Sequence, residues 1–146
     1  MPELPEVQTV VNNLSESLIG KSILSVKSPN KYKRVFHQIR VTDCNQLLLN
    51  NRIEKITRRG KYIVFILERG FFCVHLRMTG KLLINLENKE HIKYVSAQFN
   101  FTDGSQLFFK DVRKFGRIYF SNNLDWLELK LGIEPLTEEF NSNYLY

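Results

Sequence analysis

The first residues of the chain combine two groups that could carry out covalent chemistry. The residue after the initiator methionine is Pro2, which permits removal of Met1 and would leave a secondary amine at the start of the mature chain. An α-amino group has a pKa near ~8, so a useful fraction is neutral at physiological pH. Such an amine can attack a sugar aldehyde carbon and form an iminium that acts as an electron sink. Glu3 follows directly and is a carboxyl group able to shuttle protons.

A purely structural interpretation of the same residues stays open. Pro2 and Pro5 suit the first turn of a helix, where a missing N–H costs nothing, and Glu3 and Glu6 suit the positive end of the helix dipole. The two interpretations are compatible. A helix would hold the amine on a rigid support, and its dipole would disfavour the protonated form.

The elements that must position these groups follow from hydrophobic periodicity. Apolar residues at helical spacing predict an amphipathic helix over residues 7–18 that ends at Gly20. Short segments rich in branched and aromatic residues then predict strands at 23–26, 35–41, 46–49, 53–57, 62–67, 71–76, 82–84, 95–101, 107–110 and 117–120. A short helix is predicted at 123–131. The fold class is mainly β (α+β), a two-layer antiparallel β-sandwich with an N-terminal helix that carries the proline and a short C-terminal helix.

Charge is segregated along the 146 residues. Residues 1–117 hold 20 of the 21 Lys and Arg residues and have a local balance of +10, whereas residues 118–146 have a balance of −4. Such segregation is typical of a nucleic-acid-binding surface, although an ordinary solvated basic surface stays open. Two isolated cysteines without metal-ligand spacing argue for a reducing compartment and against a zinc site in this chain. No segment resembles a membrane span or a signal peptide, so we expect a cytoplasmic protein.

Two basic segments could approach nucleic acid. Arg58-Arg59-Gly60-Lys61-Tyr62 joins two predicted strands, and its three cations beside a glycine could approach a phosphate backbone. A charged hairpin end that protects a sheet edge is the alternative. Residues 110–117 alternate cations with Phe115, which could stack on exposed bases or lie in the core. Asp111 is expected to fix that loop by accepting hydrogen bonds.

A methionine follows the predicted strand 71–76. In His75-Leu76-Arg77-Met78-Thr79-Gly80 the methionine would project at a rim, where an apolar wedge could occupy the space left by an everted nucleotide. Burial of Met78 in the core is the alternative.

These segments together resemble the formamidopyrimidine-DNA glycosylases, bifunctional repair enzymes of the Fpg/Nei family. The opening Pro-Glu-Leu-Pro-Glu-Val is similar to theirs, and the three internal segments resemble their Arg-Arg-X-Lys-Tyr, His-Leu-Gly-Met-Ser-Gly and Asp-Pro-Arg-Arg-Phe-Gly motifs. Residues 132–136 resemble the Gly-Pro-Glu-Pro-Leu segment that closes the family's first domain. Arg77 stands where the family has glycine, and Val112 stands where it has proline.

The resemblance implies a role for each matching residue. Pro2 would be the nucleophile, Glu3 the proton donor and acceptor, and Lys61 an active-site residue near a backbone phosphate. The implied DNA-binding residues are His75 on a phosphate, Met78 in the void, Arg113 on the orphaned base and Phe115 as a wedge. Arg59 and Arg117 join them as phosphate-binding cations, Arg117 on charge alone.

The resemblance also implies a domain organisation. Residues 1–136 would form the N-terminal catalytic domain and residues 137–146 the start of a linker. A helix-two-turn-helix module and a zinc finger follow in full-length relatives and are not encoded here. Zinc is expected only in that finger, so we expect no metal or other cofactor in this chain. The expected partner is damaged double-stranded DNA, bound by a monomer in a bacterial-type cytoplasm and associated with the nucleoid.

Two classes of function remain open. The first is a base-excision-repair glycosylase and AP lyase that acts on oxidised or ring-opened purines, such as 8-oxoguanine or formamidopyrimidine, through a Schiff base and β,δ-elimination. Its runner-up within the class is the endonuclease VIII-like branch, which prefers oxidised pyrimidines. The second is a truncated, non-catalytic DNA-binding remnant, because each lost phosphate contact lowers affinity for DNA.

Overall fold

Two four-stranded antiparallel sheets form the body of the protein. A computed structural model describes residues 4–37, 39–86 and 88–121. The elements in chain order are α1 (Leu4–Leu18), β1 (Ile23–Lys27), a 3-10 helix (Lys33–Val35), α2 (Val41–Leu48), β2 (Ile53–Arg59), β3 (Tyr62–Leu67), β4 (Phe71–His75), β5 (Gly80–Leu83), a second 3-10 helix (Lys89–Tyr94), β6 (Val95–Phe101), β7 (Gln106–Asp111) and β8 (Arg117–Ser121). The first sheet has the order β1-β6-β7-β5 and the second β2-β3-β4-β8. The predicted β-sandwich with a leading helix is confirmed.

Phenylalanine rings fill the space between the sheets. Phe72 of the second sheet stacks on Phe65 of the same sheet at 4.4 Å between ring centroids and on Phe99 of the first sheet at 4.8 Å. All three rings are fully buried. Large aromatic side chains contribute most of the area that a core removes from water, so this stack fixes the distance between the layers.

The N-terminal helix covers one end of this core. Val7, Val11, Leu14 and Leu18 are buried along one face of α1, as the helical spacing predicts. The helix begins at Leu4, three residues before the apolar pattern, because a proline at position 5 is tolerated in a first turn. Gly20 follows the helix with φ +91°, and its amide donates to the Ile53 carbonyl at 2.8 Å.

Two strand predictions are wrong. The described residues of 35–41 form no strand, and residues 46–49 lie mostly in α2. The run Leu47-Leu48-Leu49 resembles a buried strand, but Cys44 and Leu48 are spaced to bury one face of a helix. The Asn45 side chain fixes that helix against β1, since it accepts from the Val26 amide and donates to the Val26 carbonyl. This pairing satisfies the sheet edge that a strand would otherwise have covered.

The remaining strand bounds agree with the predictions to within two residues. The predicted helix at 123–131 and the segment 132–136 lie outside the described residues. Within the residues that are described, no helix has the length and apolar character needed to cross a membrane.

Candidate nucleic-acid interface

Three predicted DNA-binding residues lie in one row across the end of the second sheet. Arg59 pairs with Tyr62, Tyr62 with His75, and His75 with Arg117 in the registers of the four strands. Directly opposed residues of antiparallel strands share a face, so these side chains lie side by side. Arg59 is buried, with 8% of its surface exposed.

Lys61 lies at the tip of the hairpin beside this row. Gly60 and Lys61 form the two-residue connection between β2 and β3, and Gly60 has φ +60°. A glycine is favoured there because side chains are strained at positive φ in such turns. Lys61 is exposed at the tip, where its ammonium group can reach a ligand outside the sheet.

His75 is held as a neutral hydrogen-bond donor. Its ring is mostly buried and meets Tyr62 edge-on at 4.6 Å, while its Nδ1 accepts from the Arg77 amide at 3.1 Å. Burial, together with the smaller effects of the Arg77 and Lys61 charges, lowers the pKa of His75 to about 4. With Nδ1 used as an acceptor, the proton of the neutral ring lies on Nε2. A phosphate oxygen would therefore be met by an N–H group rather than by a cation.

We predict that His75 titrates far below an ordinary histidine. Its folded-state pKa of about 4 lies below the usual 6.5, so between these values the unfolded chain binds a proton that the folded chain does not. The contribution of neutral His75 to the free energy of unfolding is complete above pH 6.5 and is lost as the pH falls towards 4. NMR titration should give a midpoint near 4 for the resonance that His75→Gln removes. In the variant, the urea concentration at half-unfolding should fall less steeply between pH 6.5 and 4 than in the parent. An NMR titration midpoint above pH 6 for His75 would contradict the assignment.

The segment between β4 and β5 exposes the predicted wedge methionine. Met78 has 53% of its surface exposed, so it does not lie in the core. Arg77 has φ +57°, the left-handed conformation that suits the glycine of the family motif. A non-glycine residue there costs about 1 kcal/mol, which the chain tolerates. The segment closes through the Gly80 amide, which donates to the Leu76 carbonyl at 2.9 Å.

The segment between β7 and β8 meets Met78 from the other side. Phe115 has 51% of its surface exposed, which excludes a core position for this ring. A guanidinium nitrogen of Arg113 approaches the Met78 sulfur at 3.9 Å. The predicted void-filling residue and the predicted orphan-base residue are therefore in contact, although 35 positions separate them.

Asp111 and Thr79 connect the two segments. The buried carboxylate of Asp111 accepts from the Thr79 hydroxyl at 2.5 Å and from the Gly116 amide at 2.7 Å. The Thr79 oxygen accepts in turn from the Arg113 amide at 3.2 Å. The expected fixing of the loop by Asp111 is confirmed, and the additional bond to Thr79 joins both segments into one unit.

Arg117 stabilises the segment between β7 and β8. Its guanidinium donates to the carbonyls of Lys114 and Gly116 at 3.0 and 2.8 Å. The Tyr32 hydroxyl donates to the same Lys114 carbonyl at 2.8 Å. The sequence analysis missed Tyr32, because its contact with residue 114 is not visible from any local pattern.

A cavity of about 380 Å³ lies beside the first turns of α1. Glu6, Val7 and Val10 line it from the helix, and the Met78 segment and β5 line it from the other side. Pro2 and Glu3 lie outside the described residues, and α1 begins two positions after Pro2. Glu6 is a second residue that the sequence analysis missed as a site residue. The signal was its position three residues after Glu3 in the sequence.

Metal ligands do not cluster in the described ranges. No group of three or more His, Cys, Asp or Glu side chains within residues 4–37, 39–86 and 88–121 could hold a metal ion.

Comparisons with known proteins agree with this arrangement. Residues 1–118 match the family model described as the formamidopyrimidine-DNA glycosylase N-terminal domain. The formamidopyrimidine-DNA glycosylases of Mycoplasma pneumoniae and Bacillus subtilis are 38% and 40% identical over 152 and 151 residues. These alignments cover 100% and 99% of this chain and 54% of each relative. The chain thus spans about half the length of these curated relatives.

Solved structures of similar proteins contain damaged DNA. One is MutM in complex with DNA that contains carbocyclic 8-oxo-G, with a TM-score of 0.77 and 32% identity over 90% of this chain and 48% of that chain. Another is the Lactococcus lactis Fpg with FAPY-dG-containing DNA, with a TM-score of 0.76 and 31% identity over 89% of this chain and 48% of that chain. The sequence, the fold and the arrangement of the loops together show that this chain belongs to the formamidopyrimidine-DNA glycosylase family, of which it contains the N-terminal domain.

Proposed function

We propose that the chain is the catalytic half of a base-excision-repair DNA glycosylase and AP lyase that acts on oxidised or ring-opened purines. The observation that supports this most is the contact between Met78 and Arg113, held on two exposed segments that Asp111 and Thr79 join. An apolar side chain that fills the void and a side chain that pairs with the orphaned base are both needed where a protein opens a duplex at one nucleotide, and here Met78 and Arg113 lie in contact. The similar structures that contain 8-oxo-G and FAPY-dG DNA support the same substrate class.

The proposed chemistry uses the amine of Pro2. Its lone pair forms a bond to the anomeric carbon of the damaged nucleotide while the glycosidic bond breaks, and the base leaves with a proton. The Pro2 nitrogen then loses its own proton, and its lone pair breaks the bond from the anomeric carbon to the sugar ring oxygen. Glu3, as proton donor and acceptor, protonates that oxygen, so the ring opens to an iminium. The resulting iminium permits elimination of the 3′ phosphate and then of the 5′ phosphate. The cavity beside Glu6 and Met78 would receive the everted base.

DNA binding in this proposal relies on the end row of the second sheet. Lys61 and the Nε2–H of His75 would bind phosphates, and the positive charges of Arg59 and Arg117 in the same row would attract them. Phe115 would wedge beside the orphaned base while Arg113 pairs with it. The protein would act as a monomer, in the cytoplasmic compartment that holds the genomic DNA.

Borohydride trapping of the iminium tests the proposal. The chain, with Met1 removal verified by mass, is incubated with single-stranded and duplex DNA carrying an abasic site or 8-oxoguanine. We expect a covalent adduct that disappears in Pro2→Gly with an acetylated N-terminus, because acetylation removes the nucleophilic lone pair. A parallel reaction uses duplex DNA that carries an oxidised pyrimidine, and a stronger adduct there than on 8-oxoguanine would favour the endonuclease VIII-like branch.

The second candidate is a DNA-binding domain that is not catalytic by itself, which the exposed Lys61 and Arg113 would support equally well. Absence of any adduct from folded protein on every substrate would overturn the enzymatic proposal for this chain. DNA binding would then be the function that remains.

A further inference from the structure

A second group of cations borders the site described above and shares Arg117 with it. A cleft of about 580 Å³ opens beside β8, between the 3-10 helix Lys33–Val35 and the start of α2. We call it the β8 cleft and define it by its lining residues Lys33, Arg34, Phe36, His37, Ile39, Arg40 and Arg117. The 3-10 helix is attached to the sheet at this place by a bridge between Phe36 and Ile118.

Within the part of the chain that the structure describes, carboxylates balance few of the charges of the β8 cleft. None of its lining residues is acidic. Arg40 pairs with Asp43 at 3.3 Å, but 84% of the Arg40 side chain is exposed, so this pair is weak. The side chains of Lys33 and Arg34 bond to no acceptor in residues 4–37, 39–86 and 88–121. Uncompensated like charges within one cleft repel each other, and an anion bound there would relieve that repulsion.

The β8 cleft is fixed to the segment that carries Arg113 and Phe115. Tyr32 precedes the 3-10 helix and donates to the Lys114 carbonyl at 2.8 Å. The ammonium of Lys114 and the guanidinium of Arg117 lie over the Tyr32 ring at 5.4 and 6.0 Å from its centroid. Tyr32 therefore holds the cleft at a constant distance from the two residues proposed to meet the orphaned base.

The order of the strands places two groups of cations on opposite sides of this segment. Lys61 and Arg59 belong to the β2–β3 hairpin, whereas the β8 cleft borders the opposite edge strand of the same sheet. Three interstrand spacings of about 4.8 Å separate these edges, so the groups are about 14 Å apart. The Met78 segment follows β4 and the Phe115 segment precedes β8, so in the order of the strands the proposed wedge lies between the β2–β3 hairpin and the β8 cleft. This order suits contacts with the two strands of an opened duplex.

We propose that the β8 cleft binds backbone phosphates of the undamaged DNA strand, at nucleotides beside the orphaned base. The proposal rests on the proposed function, because that function places Arg113 on the undamaged strand. Arg34 and Arg40 suit this ligand, since a guanidinium group can bind two oxygens of one phosphate. Contacts of this kind set the register of a strand without reading its sequence.

The test compares two variants that lose equal charge. Arg34→Gln/Arg40→Gln removes two exposed arginines of the cleft, and Arg52→Gln/Arg69→Gln removes two exposed arginines near the opposite end of the sheet. Affinity of the full chain is measured over a range of salt concentrations. The probes are a duplex with a tetrahydrofuran abasic analogue and the lesion strand alone, neither of which requires catalysis.

We expect the cleft variant to lose at least tenfold in duplex affinity at low salt. The slope of log K against log salt should decrease in magnitude by about 2, since each phosphate contact contributes about 0.9. Its affinity for the lesion strand alone should change less than twofold, and the control variant should match the parent on both probes. Unchanged thermal unfolding midpoints would show that both variants are folded.

Three results would overturn the proposal: an equal loss on both probes, an equal loss in the control variant, or no loss on the duplex. Failure of the proposed function has a different signature, which is absence of a trapped adduct from the parent chain. A selective loss of duplex affinity in the cleft variant would support the cleft even if no adduct forms.

Discussion

Replacing Asp111 with alanine is expected to lower the free energy of unfolding by about 3 kcal/mol, because the variant loses two hydrogen bonds to a buried carboxylate. The Thr79 hydroxyl and the Gly116 amide would both lose their acceptor. Asp111 is fully buried, so water does not replace the missing oxygen atoms without local opening. Urea denaturation at pH 7 measures the change as a lower midpoint at a constant slope.

The Asp111→Asn variant is the matched control. An asparagine keeps one oxygen acceptor for the Gly116 amide and can direct its NH₂ group to the Thr79 oxygen, so we expect about one third of the alanine effect. Loss of stability in Asp111→Ala below about 1 kcal/mol, the net value of one ordinary hydrogen bond, would contradict the proposed connection.

Asp111→Ala should weaken DNA binding by more than the loss of folded protein explains. At a urea concentration and temperature where the variant is still folded, Met78 and Arg113 would no longer be held together. Affinity for a duplex with an abasic analogue should therefore fall, while affinity for the lesion strand alone should change much less. Equal losses on both probes would indicate general unfolding rather than loss of the connection.

Replacing Gly116 with alanine is the second large expected effect. A Cβ at this position would overlap the Cζ atom of Phe109 and would lie 2.9 Å from the Asp111 carboxylate oxygen. Phe109 is fully buried between the sheets, so its ring has no space into which it can move. We expect a loss of about 3 kcal/mol in the free energy of unfolding, at the upper end for an overpacked core.

Two further variants separate overlap from backbone effects. Gly104 has φ +91° and open space around a built Cβ, so Gly104→Ala should cost only about 1 kcal/mol of backbone strain. Phe109→Leu destabilises by itself, but it should recover part of the loss when it is combined with Gly116→Ala. Additive losses in that double variant would show that the overlap with Phe109 is not the cause.

Much of the fold follows from local pattern. The branched and aromatic residues of 62–67, 71–76 and 95–101 predict three strands whose bounds the structure reproduces to within one residue. The prediction failed at α2, where Leu47-Leu48-Leu49 reads equally well as a buried strand. Contacts of Asn45 with the edge of β1 decide between the two, and those contacts join residues 19 positions apart.

Burial decided the properties of the site residues. The motif placed His75 near a phosphate, but its pKa of about 4 depends on burial and on the neighbouring Arg77 and Lys61 charges. The alternatives left open for Met78 and Phe115 were also settled by exposure, since both side chains lie at the surface. Residue type alone could not choose, because methionine and phenylalanine are more often buried than exposed.

The sequence by itself determined the strand pattern, the family and the positions of the candidate side chains, because periodicity and short motifs are properties of neighbouring residues. Only the tertiary structure decided that Met78 meets Arg113, that Asp111 bonds to Thr79 and that Arg34 shares a cleft with Arg117. Each of these contacts joins residues more than 30 positions apart. The first two contacts result from the antiparallel pairing of β4 with β8 and of β5 with β7, and the third results from the bridge between Phe36 and Ile118. Packing of the core selects these pairings, and no local pattern records them.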